Sequence, residues 1–263
     1  GGHSTASNNE ASYNTAIGGN TIGGSTGTST AITAENNVAV GWGALATIST
    51  GSHNIALGKD AANVLTTGVQ NIVIGTQAGA AMTTEDECVL IGYQAGTALT
   101  TDDADGTVAI GYQALTALTS GGDNVAIGYQ ALQGHTTGAA NIAIGKGALS
   151  GTAGSSAATS SHNIAIGLNA LGGDWNDGSA SNYNIAIGGT SQDGVMNGAC
   201  CNVSMGFDSL GAVTDGDNNT IIGHNAGNGI TTGQYNTGIG NAVTFDIDAN
   251  NQTAVGNGAT TAS

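Results

Sequence analysis

The sequence predicts an all-β fold, a parallel β-solenoid of about fourteen short coils. Three observations predict it: a repeated five-residue phrase, an alternation of residue types inside that phrase, and the spacing between its copies. The clearest copies are residues 141–145 and 163–167, which both read Asn-Ile-Ala-Ile-Gly. Self-similarity at a short fixed period is typical of architectures in which each repeat packs mainly on its neighbours.

Every copy of the phrase ends in a glycine, and the commonest spacing between these glycines is 17 residues. The fourteen closing glycines are Gly18, Gly41, Gly58, Gly75, Gly92, Gly111, Gly128, Gly145, Gly167, Gly188, Gly206, Gly223, Gly240 and Gly256. The longer spacings indicate loop insertions. Because glycine adopts backbone angles that other residues resist, we expect a sharp corner at each of these positions.

Inside the phrase, Ile or Val alternates with Ala, as in Val125, Ala126 and Ile127. Alternation with β-branched residues over five positions predicts a short strand with one apolar face. We expect the Ile/Val pair to fill the inside of the coil and the Ala to let another chain approach closely. Ala three residues after the glycine and Leu four residues after it predict a second short strand or an extended turn that closes the coil.

An asparagine opens most copies of the phrase. In a parallel solenoid such side chains stack, and we expect them to hydrogen-bond along the axis as a ladder. The predicted ladder residues are Asn14, Asn37, Asn54, Asn71, Asn124, Asn141, Asn163, Asn184, Asn202, Asn219 and Asn236. Cys88, Thr107 and Gln252 interrupt the series.

The repeats predict one solenoid domain at residues 14–259, between a cap or frayed end at residues 1–13 and a tail at residues 260–263. A coil of 17 residues encloses little volume, so burying enough apolar surface to offset chain entropy is difficult for one chain. We therefore expect a homotrimer.

The charge balance excludes several classes of partner. The net charge is −16, with two Lys/Arg residues against 18 Asp/Glu residues. Phosphate binding needs clustered basic residues, so no nucleic acid partner is expected, and anionic membrane surfaces are disfavoured. No apolar run approaches 18 residues, so no membrane insertion is expected.

The cysteines and histidines do not predict a disulfide framework, a metal site or an active site. The three cysteines, Cys88, Cys200 and Cys201, are expected to be buried or half-buried thiols, since the count is odd and adjacent cysteines rarely pair. The histidines share no metal-ligand spacing. Nothing brings an acid, a base and a nucleophile together, so the chain is not expected to be an enzyme.

Two features are candidates for binding. The residue after each closing glycine varies, and Tyr93, Tyr112 and Tyr129 occupy it in successive coils, so they are expected to form an exposed strip. Such a strip could stack on sugar rings; the alternative is a ladder that only stabilises the coils. Four acidic loops are the best candidates for Ca²⁺ binding. We nevertheless expect them to be solvated loops without a bound ion, and we expect no cofactor. These loops are residues 85–87, residues 102–105, Asp174 with Asp177, and Asp215 with Asp217.

The stretch at residues 124–132, Asn-Val-Ala-Ile-Gly-Tyr-Gln-Ala-Leu, resembles two families. One is the YadA-like head repeat of trimeric autotransporter adhesins, and the other is the β-roll repeat of phage tail-fibre proteins that carry an endosialidase-type chaperone. The resemblance covers about residues 14–259. It implies a left-handed parallel β-roll, a homotrimer, and an extracellular place on a virion or a cell surface. The coils here are longer than the compact adhesin repeat.

The leading functional hypothesis is therefore a structural fibre or adhesin segment that forms an elongated trimeric rod for attachment. The alternative is a carbohydrate- or receptor-binding module that uses the tyrosines and the long loops. An ice-binding solenoid is a third hypothesis, which the irregular placement of threonines such as Thr66–Thr67 disfavours.

Overall fold

The computed structural model describes residues 13–23, 32–151, 159–173, 175 and 179–261. Most of the predicted N-terminal cap and the last two residues of the predicted tail lie outside these ranges. Within them, the chain is all-β, with fourteen three-residue strands and a 3-10 turn at Asp102–Ala104. The chain divides into two compact units, Gly1–Asn124 and Val125–Ser263.

The strands of each unit pair in chain order, each one parallel to the next. The first unit holds β1 (Thr15–Ile17), β2 (Val38–Val40), β3 (Ile55–Leu57), β4 (Ile72–Ile74), β5 (Val89–Ile91) and β6 (Val108–Ile110). The second unit holds β7 (Val125–Ile127), β8 (Ile142–Ile144), β9 (Ile164–Ile166), β10 (Ile185–Ile187), β11 (Val203–Met205), β12 (Thr220–Ile222), β13 (Thr237–Ile239) and β14 (Thr253–Val255).

The register matches equivalent residues of neighbouring phrases. Ile55 pairs with Ile72, and Ile72 with Val89, so one strand is contributed by each repeat. This confirms the predicted parallel β-solenoid, with about twelve complete turns. The expected number of about fourteen coils matches the number of strands among the described residues and slightly exceeds the number of complete turns.

The closing glycines stack directly on one another. At Gly58 the backbone φ is +138°, and an added Cβ would lie 2.6 Å from the carbonyl oxygen of Gly75 in the next coil. An L-residue would therefore meet both an unfavourable φ and a backbone clash. The glycine is required by the angle and by the contact together.

The expected assignment of the two strand faces is wrong. The central Ala of the strand points inward and is fully buried, as at Ala56 and Ala109. The flanking aliphatic residues point outward and are partly exposed: Ile127 is 36% exposed and Ile144 is 37% exposed. The outward face of the strands is therefore formed by two mainly aliphatic columns, with Thr in the first column of four strands, rather than by an alanine surface.

The interior is filled from the turn that follows the glycine. Leu115, Leu132 and Leu149 are fully buried and have φ values of 52°, 52° and 51°. These left-handed angles are not those of a strand, and the described residues contain one strand per coil. Each coil is thus closed by a tight turn, not by a second strand, and the leucine that the turn directs inward leaves space only for Ala on the strand.

Strand and turn compensate for each other in size. Where the inward strand residue is large, the equivalent of the turn leucine is glycine. An added Cβ at Gly96 would lie 2.8 Å from Leu90, and one at Gly227 would lie 2.9 Å from Ile221. In these coils the same interior volume is therefore filled from either of two positions, which keeps them close-packed; the coil with Ala56 and Ala62 does not follow this relation.

None of the described residues belongs to a helix of the length and apolar character that crossing a bilayer requires.

Candidate functional site

The opening asparagines are linked by hydrogen bonds along the coil axis. The backbone N–H of Asn54 donates to Oδ1 of Asn37 at 2.8 Å, and its Nδ2 donates to the same oxygen at 3.1 Å. The Nδ2 group also donates to the carbonyl oxygen of Gly68 at 2.8 Å. Both asparagines are buried, so the side chains satisfy polar groups that no water reaches.

The same pattern recurs in both units. In the first unit it joins Asn14, Asn37, Asn54 and Asn71. In the second unit it joins Asn141, Asn163, Asn184, Asn202, Asn219 and Asn236. Asn124, the last residue of the first unit, donates its Nδ2 to the carbonyl oxygen of Gly121 at 2.7 Å.

Where another residue replaces the asparagine, the backbone hydrogen bond to the preceding asparagine persists. The backbone N–H groups of Cys88 and Gln252 still donate to the preceding asparagine, at 2.9 Å and 3.0 Å. Burial raises the pKa of the Cys88 thiol to about 12. Cys88 therefore stays protonated and is a poor nucleophile.

The expectation that all three cysteines are thiols is wrong. Cys200 and Cys201 are joined by a disulfide, and only Cys88 is free. The backbone N–H of Cys200 donates to Oδ1 of Asp217 at 2.7 Å, and that of Cys201 donates to the carbonyl oxygen of Asn182 at 3.2 Å. These two hydrogen bonds, to residues of the neighbouring coils, hold Cys200 and Cys201 in the corner of the coil. The spacing of the cysteines in the sequence does not indicate that their sulfur atoms are bonded.

The residue after each closing glycine forms an exposed column, which we call the ring column. Its first-unit members are Gly19, Trp42, Lys59, Thr76, Tyr93 and Tyr112. Its second-unit members are Tyr129, Lys146, Leu168, Gly189, Phe207, His224, Asn241 and Asn257. Backbone hydrogen bonds set the spacing: the N–H of Gln77 donates to the carbonyl oxygen of Lys59 at 2.9 Å, and that of Gln94 donates to Thr76 at 3.1 Å.

Rings in this column stack face to face along the axis. The Tyr93 and Tyr112 centroids are 5.3 Å apart with planes 13° from parallel, and those of Phe207 and His224 are 5.6 Å apart at 17°. A face that covers a neighbouring ring is unavailable to a ligand. Inside a stack, the solvent therefore meets ring edges and hydroxyl groups, and free faces occur only where a stack ends.

Both lysines of the chain lie in the ring column, each beside an aromatic ring. Lys59 Nζ lies 5.8 Å from the Trp42 ring, and Lys146 Nζ lies 5.7 Å from the Tyr129 ring. Such cation–π contacts contribute about 0.5–1 kcal/mol at exposed sites.

Of the three predicted tyrosines, the structure stacks Tyr93 on Tyr112 within the first unit. Tyr129 belongs to the second unit, where it is 47% exposed and lies beside Lys146. All three are exposed, as a binding role requires.

A glutamine column lies beside the ring column and was not anticipated. Gln94 Nε2 donates to Oε1 of Gln77 at 3.1 Å, and Gln113 Nε2 donates to Oε1 of Gln94 at 2.9 Å. The signal was present in the sequence, since Gln directly follows the ring-column residue in four successive coils. Amide groups thus flank the tyrosines.

A second row of exposed side chains occupies the corner just before the asparagine. His162 and Tyr183 stack there at 4.9 Å and 22°, and Cys201 lies at the same position of the next coil. These positions have left-handed φ angles, 61°, 58° and 64°. In the sequence, the histidines were considered only as metal ligands, and this stack was not anticipated.

One buried histidine departs from the apolar interior. His135 is fully buried, and its ring meets that of Trp175 edge-on at 5.8 Å and 77°. Among the described residues neither ring nitrogen has a hydrogen-bond partner. Burial lowers the pKa of His135 to about 4, so the ring is neutral at pH 7.

The acidic loops use their carboxylates to accept backbone hydrogen bonds. Glu85 Oε2 accepts from the N–H groups of Thr83 and Thr84 at 2.6 Å and 2.9 Å, and Asp105 Oδ1 accepts from Asp86 at 2.7 Å. Burial raises the pKa of Asp105, although the hydrogen bond from Asp86 opposes the rise.

The predicted calcium loops show no clustering for a metal. In the part of the chain that the structure describes, no three His, Cys, Asp or Glu side chains are placed to hold an ion together. Asp174 and Asp177 lie outside the described residues. In the fourth loop, Asp217 accepts the Cys200 N–H, and the N–H of Asp215 donates to Thr231 at 3.2 Å.

No protein-family model, curated protein or solved structure matches the chain. Function is therefore inferred from the geometry of the coils and from the chemistry of the exposed side chains.

Proposed function

We propose that this chain is a segment of an extracellular attachment fibre, on a virion or a cell surface, in which copies of the chain associate as a homotrimer. The left-handed winding implied by the resemblance belongs to the same proposal. The observation that supports it best is the outward face of the strands, which carries Ile, Val, Leu or Met before the glycine in every coil and Ile or Val three residues before it in all coils but four, where Thr stands.

This outward face combines two columns of the phrase. The residue before the glycine is 36% exposed at Ile166, 40% exposed at Met205 and 42% exposed at Ile239. Neither column contains a charged residue in any of the fourteen phrases. A contiguous apolar surface that continues through many coils is larger than monomeric proteins usually expose, and such surfaces mark protein–protein contacts.

Association through this face would also compensate for the small apolar interior of each coil. Ala fills most inward strand positions, so each coil buries little aliphatic volume of its own. Covering the outward Ile and Val side chains would remove further apolar surface from water, at about 25 cal/mol per Å². A second copy is the partner with a matching aliphatic face.

Two further observations support an extracellular location. The disulfide between Cys200 and Cys201 is of a kind that persists in oxidising compartments. With two lysines and no other Lys or Arg, the chain offers few sites to trypsin-like proteases.

Light scattering of the purified chain tests the proposal. We expect a mass of three times 25.3 kDa for the wild type. The double variant Ile144→Lys, Ile187→Lys places two charges on the outward face of β8 and β10, and we expect it to lose the trimer while keeping its β-type circular dichroism. Buried charges without partners are strongly unfavourable, and that cost would fall on the interface.

The matched control is Leu168→Lys, a change to the same residue type on the ring column, where Leu168 is 53% exposed. This variant should keep the trimer mass. A wild-type mass of 25.3 kDa at micromolar concentration would overturn the proposal.

A second candidate function is carbohydrate binding by the ring column. The specific observation in its favour is the exposed Tyr93–Tyr112 stack beside the glutamine column. Aromatic rings next to amide groups match the apolar faces and hydroxyl groups of sugars. The two functions are compatible because the ring column and the outward strand face are different surfaces.

A further inference from the structure

The ring column of the first unit contains one short residue between long ones. Thr76 lies between Lys59 on one side and Tyr93 on the other, and all three are exposed. The backbone hydrogen bonds from Gln77 to Lys59 and from Gln94 to Thr76 place these residues in three successive coils. Lys59 and Tyr93 are therefore about 10 Å apart along the axis, at two coil spacings.

This arrangement leaves one ring face free. Tyr112 covers one face of Tyr93, with their planes 13° from parallel. The opposite face is directed toward the coil of Thr76, whose side chain has no ring to stack on it. Tyr93 is thus the end of a stack, and its free face is directed across a recess at Thr76 toward the side-chain stem of Lys59, whose ammonium group lies 5.8 Å from the Trp42 ring in the coil beyond.

Polar side chains lie beside the recess. Gln77 follows Thr76 in its coil, whereas Asp60, which follows Lys59, has its Oδ2 atom 3.7 Å from Lys59 Nζ. The side-chain hydrogen bond of Gln77 among the described residues uses its Oε1, so its NH₂ group can donate to a ligand. The Thr76 hydroxyl adds a group that can donate or accept.

We propose that this recess, bounded by Lys59, Thr76 and Tyr93, binds one neutral hexopyranose unit of a glycan. The proposal deepens the second candidate function and rests on it. The apolar face of the sugar packs on Tyr93, and its hydroxyl groups bond with Thr76 and Gln77. A neutral sugar is favoured because Asp60 compensates the Lys59 charge and the chain as a whole carries −16.

The test measures binding of the full chain to immobilised dextran, mannan and galactan, with polygalacturonate as the anionic comparison. We expect the wild type to bind at least one neutral polysaccharide. Thr76→Trp fills the recess and should weaken that binding at least tenfold, as should Tyr93→Ala. Tryptophan already occupies the ring column at Trp42, so Thr76→Trp is expected to fold.

Leu168→Trp is the matched control, since it adds the same ring between Lys146 and Gly189, where the column offers no free tyrosine face. It should leave the binding unchanged. If the wild type binds a neutral polysaccharide and Thr76→Trp binds equally well, the recess is the wrong site while carbohydrate binding stands. If the wild type binds none of the neutral polysaccharides, or only polygalacturonate, the proposal is overturned, and complete absence of binding also overturns the second candidate function.

Discussion

At the scale of single residues, His135 occupies a position that other coils reserve for aliphatic side chains. Seven residues after their closing glycines, the equivalent residues include Leu65, Leu99 and Leu118 in the first unit and Val213 in the second. All are fully buried. The histidine brings a titratable group into the interior, where burial favours its neutral form.

His135 should make the stability of the fold depend on pH. Its pKa is about 4 in the folded chain and 6.5 in the unfolded chain. Between these values the unfolded chain binds more protons, so the free energy of unfolding falls as the pH decreases from 6.5 to 4. The loss should reach about 3 kcal/mol. Chemical denaturation at pH 7, 5.5 and 4 measures it.

His135→Leu is the control, because it restores the side chain found in other coils. The variant should be at least as stable as the wild type at pH 7 and should lack the histidine contribution at lower pH. Equal slopes of stability against pH in the two proteins would show that His135 does not titrate as its burial requires.

At the scale of the coil, strand and turn act as one packing element. In most coils the size of the inward strand residue and the size of the turn residue vary inversely, from Ala109 with Leu115 to Leu90 with Gly96. This relation explains why the sequence predicted the strands and their period but not their inward face. Alternation shows that the two faces differ; which face is inside depends on how much space the turn leaves.

Other parts of the candidate surfaces could be predicted to different degrees. The ring column follows from register alone, since equivalent residues of a parallel solenoid must stack, and Tyr93 with Tyr112 lies where expected. The Cys200–Cys201 disulfide could not be predicted, because it depends on the local geometry of one corner. The partner of His135 could not be predicted either, since Trp175 comes from a long loop whose path the repeat does not specify.

The asparagine ladder should contribute strongly to stability at a single position. Asn163 accepts the N–H of Asn184 at 3.0 Å and donates to the carbonyl oxygen of Ser181 at 2.9 Å and to Oδ1 of Asn141 at 3.2 Å. Asn163→Ala removes these partners from the Asn184 N–H and the Ser181 carbonyl oxygen, while Asn141 Oδ1 still accepts the backbone N–H of residue 163; the loss should cost about 3 kcal/mol. Equilibrium denaturation in urea measures the difference.

Asn241→Ala is the matched control, because Asn241 is exposed and its side chain hydrogen-bonds only to His224 among the described residues. It should change stability by less than about 0.5 kcal/mol. If both variants lose the same stability, the ladder hydrogen bonds contribute no more to the free energy of unfolding than the exposed Asn241 side chain does.

At the scale of the whole molecule, charge and apolar surface are separated. Of the 18 acidic residues, those that the structure describes lie in turns and loops, and none lies in a strand. The outward aliphatic columns are therefore free of like-charge repulsion at close range, while the net charge of −16 keeps other surfaces apart. This separation favours association through one face and disfavours random aggregation.

The one-strand-per-repeat register has a mechanical consequence. Each coil bonds to the coils on either side, so a stretching force applied to the chain ends should detach coils one after another. A coil of 17 residues is about 60 Å long when fully extended but occupies about 5 Å of the stack. Single-molecule force spectroscopy should therefore record contour-length increments of about 55 Å, and one large release would contradict this. A fibre of such coils would lengthen in small steps under load and dissipate the force before its attachment breaks.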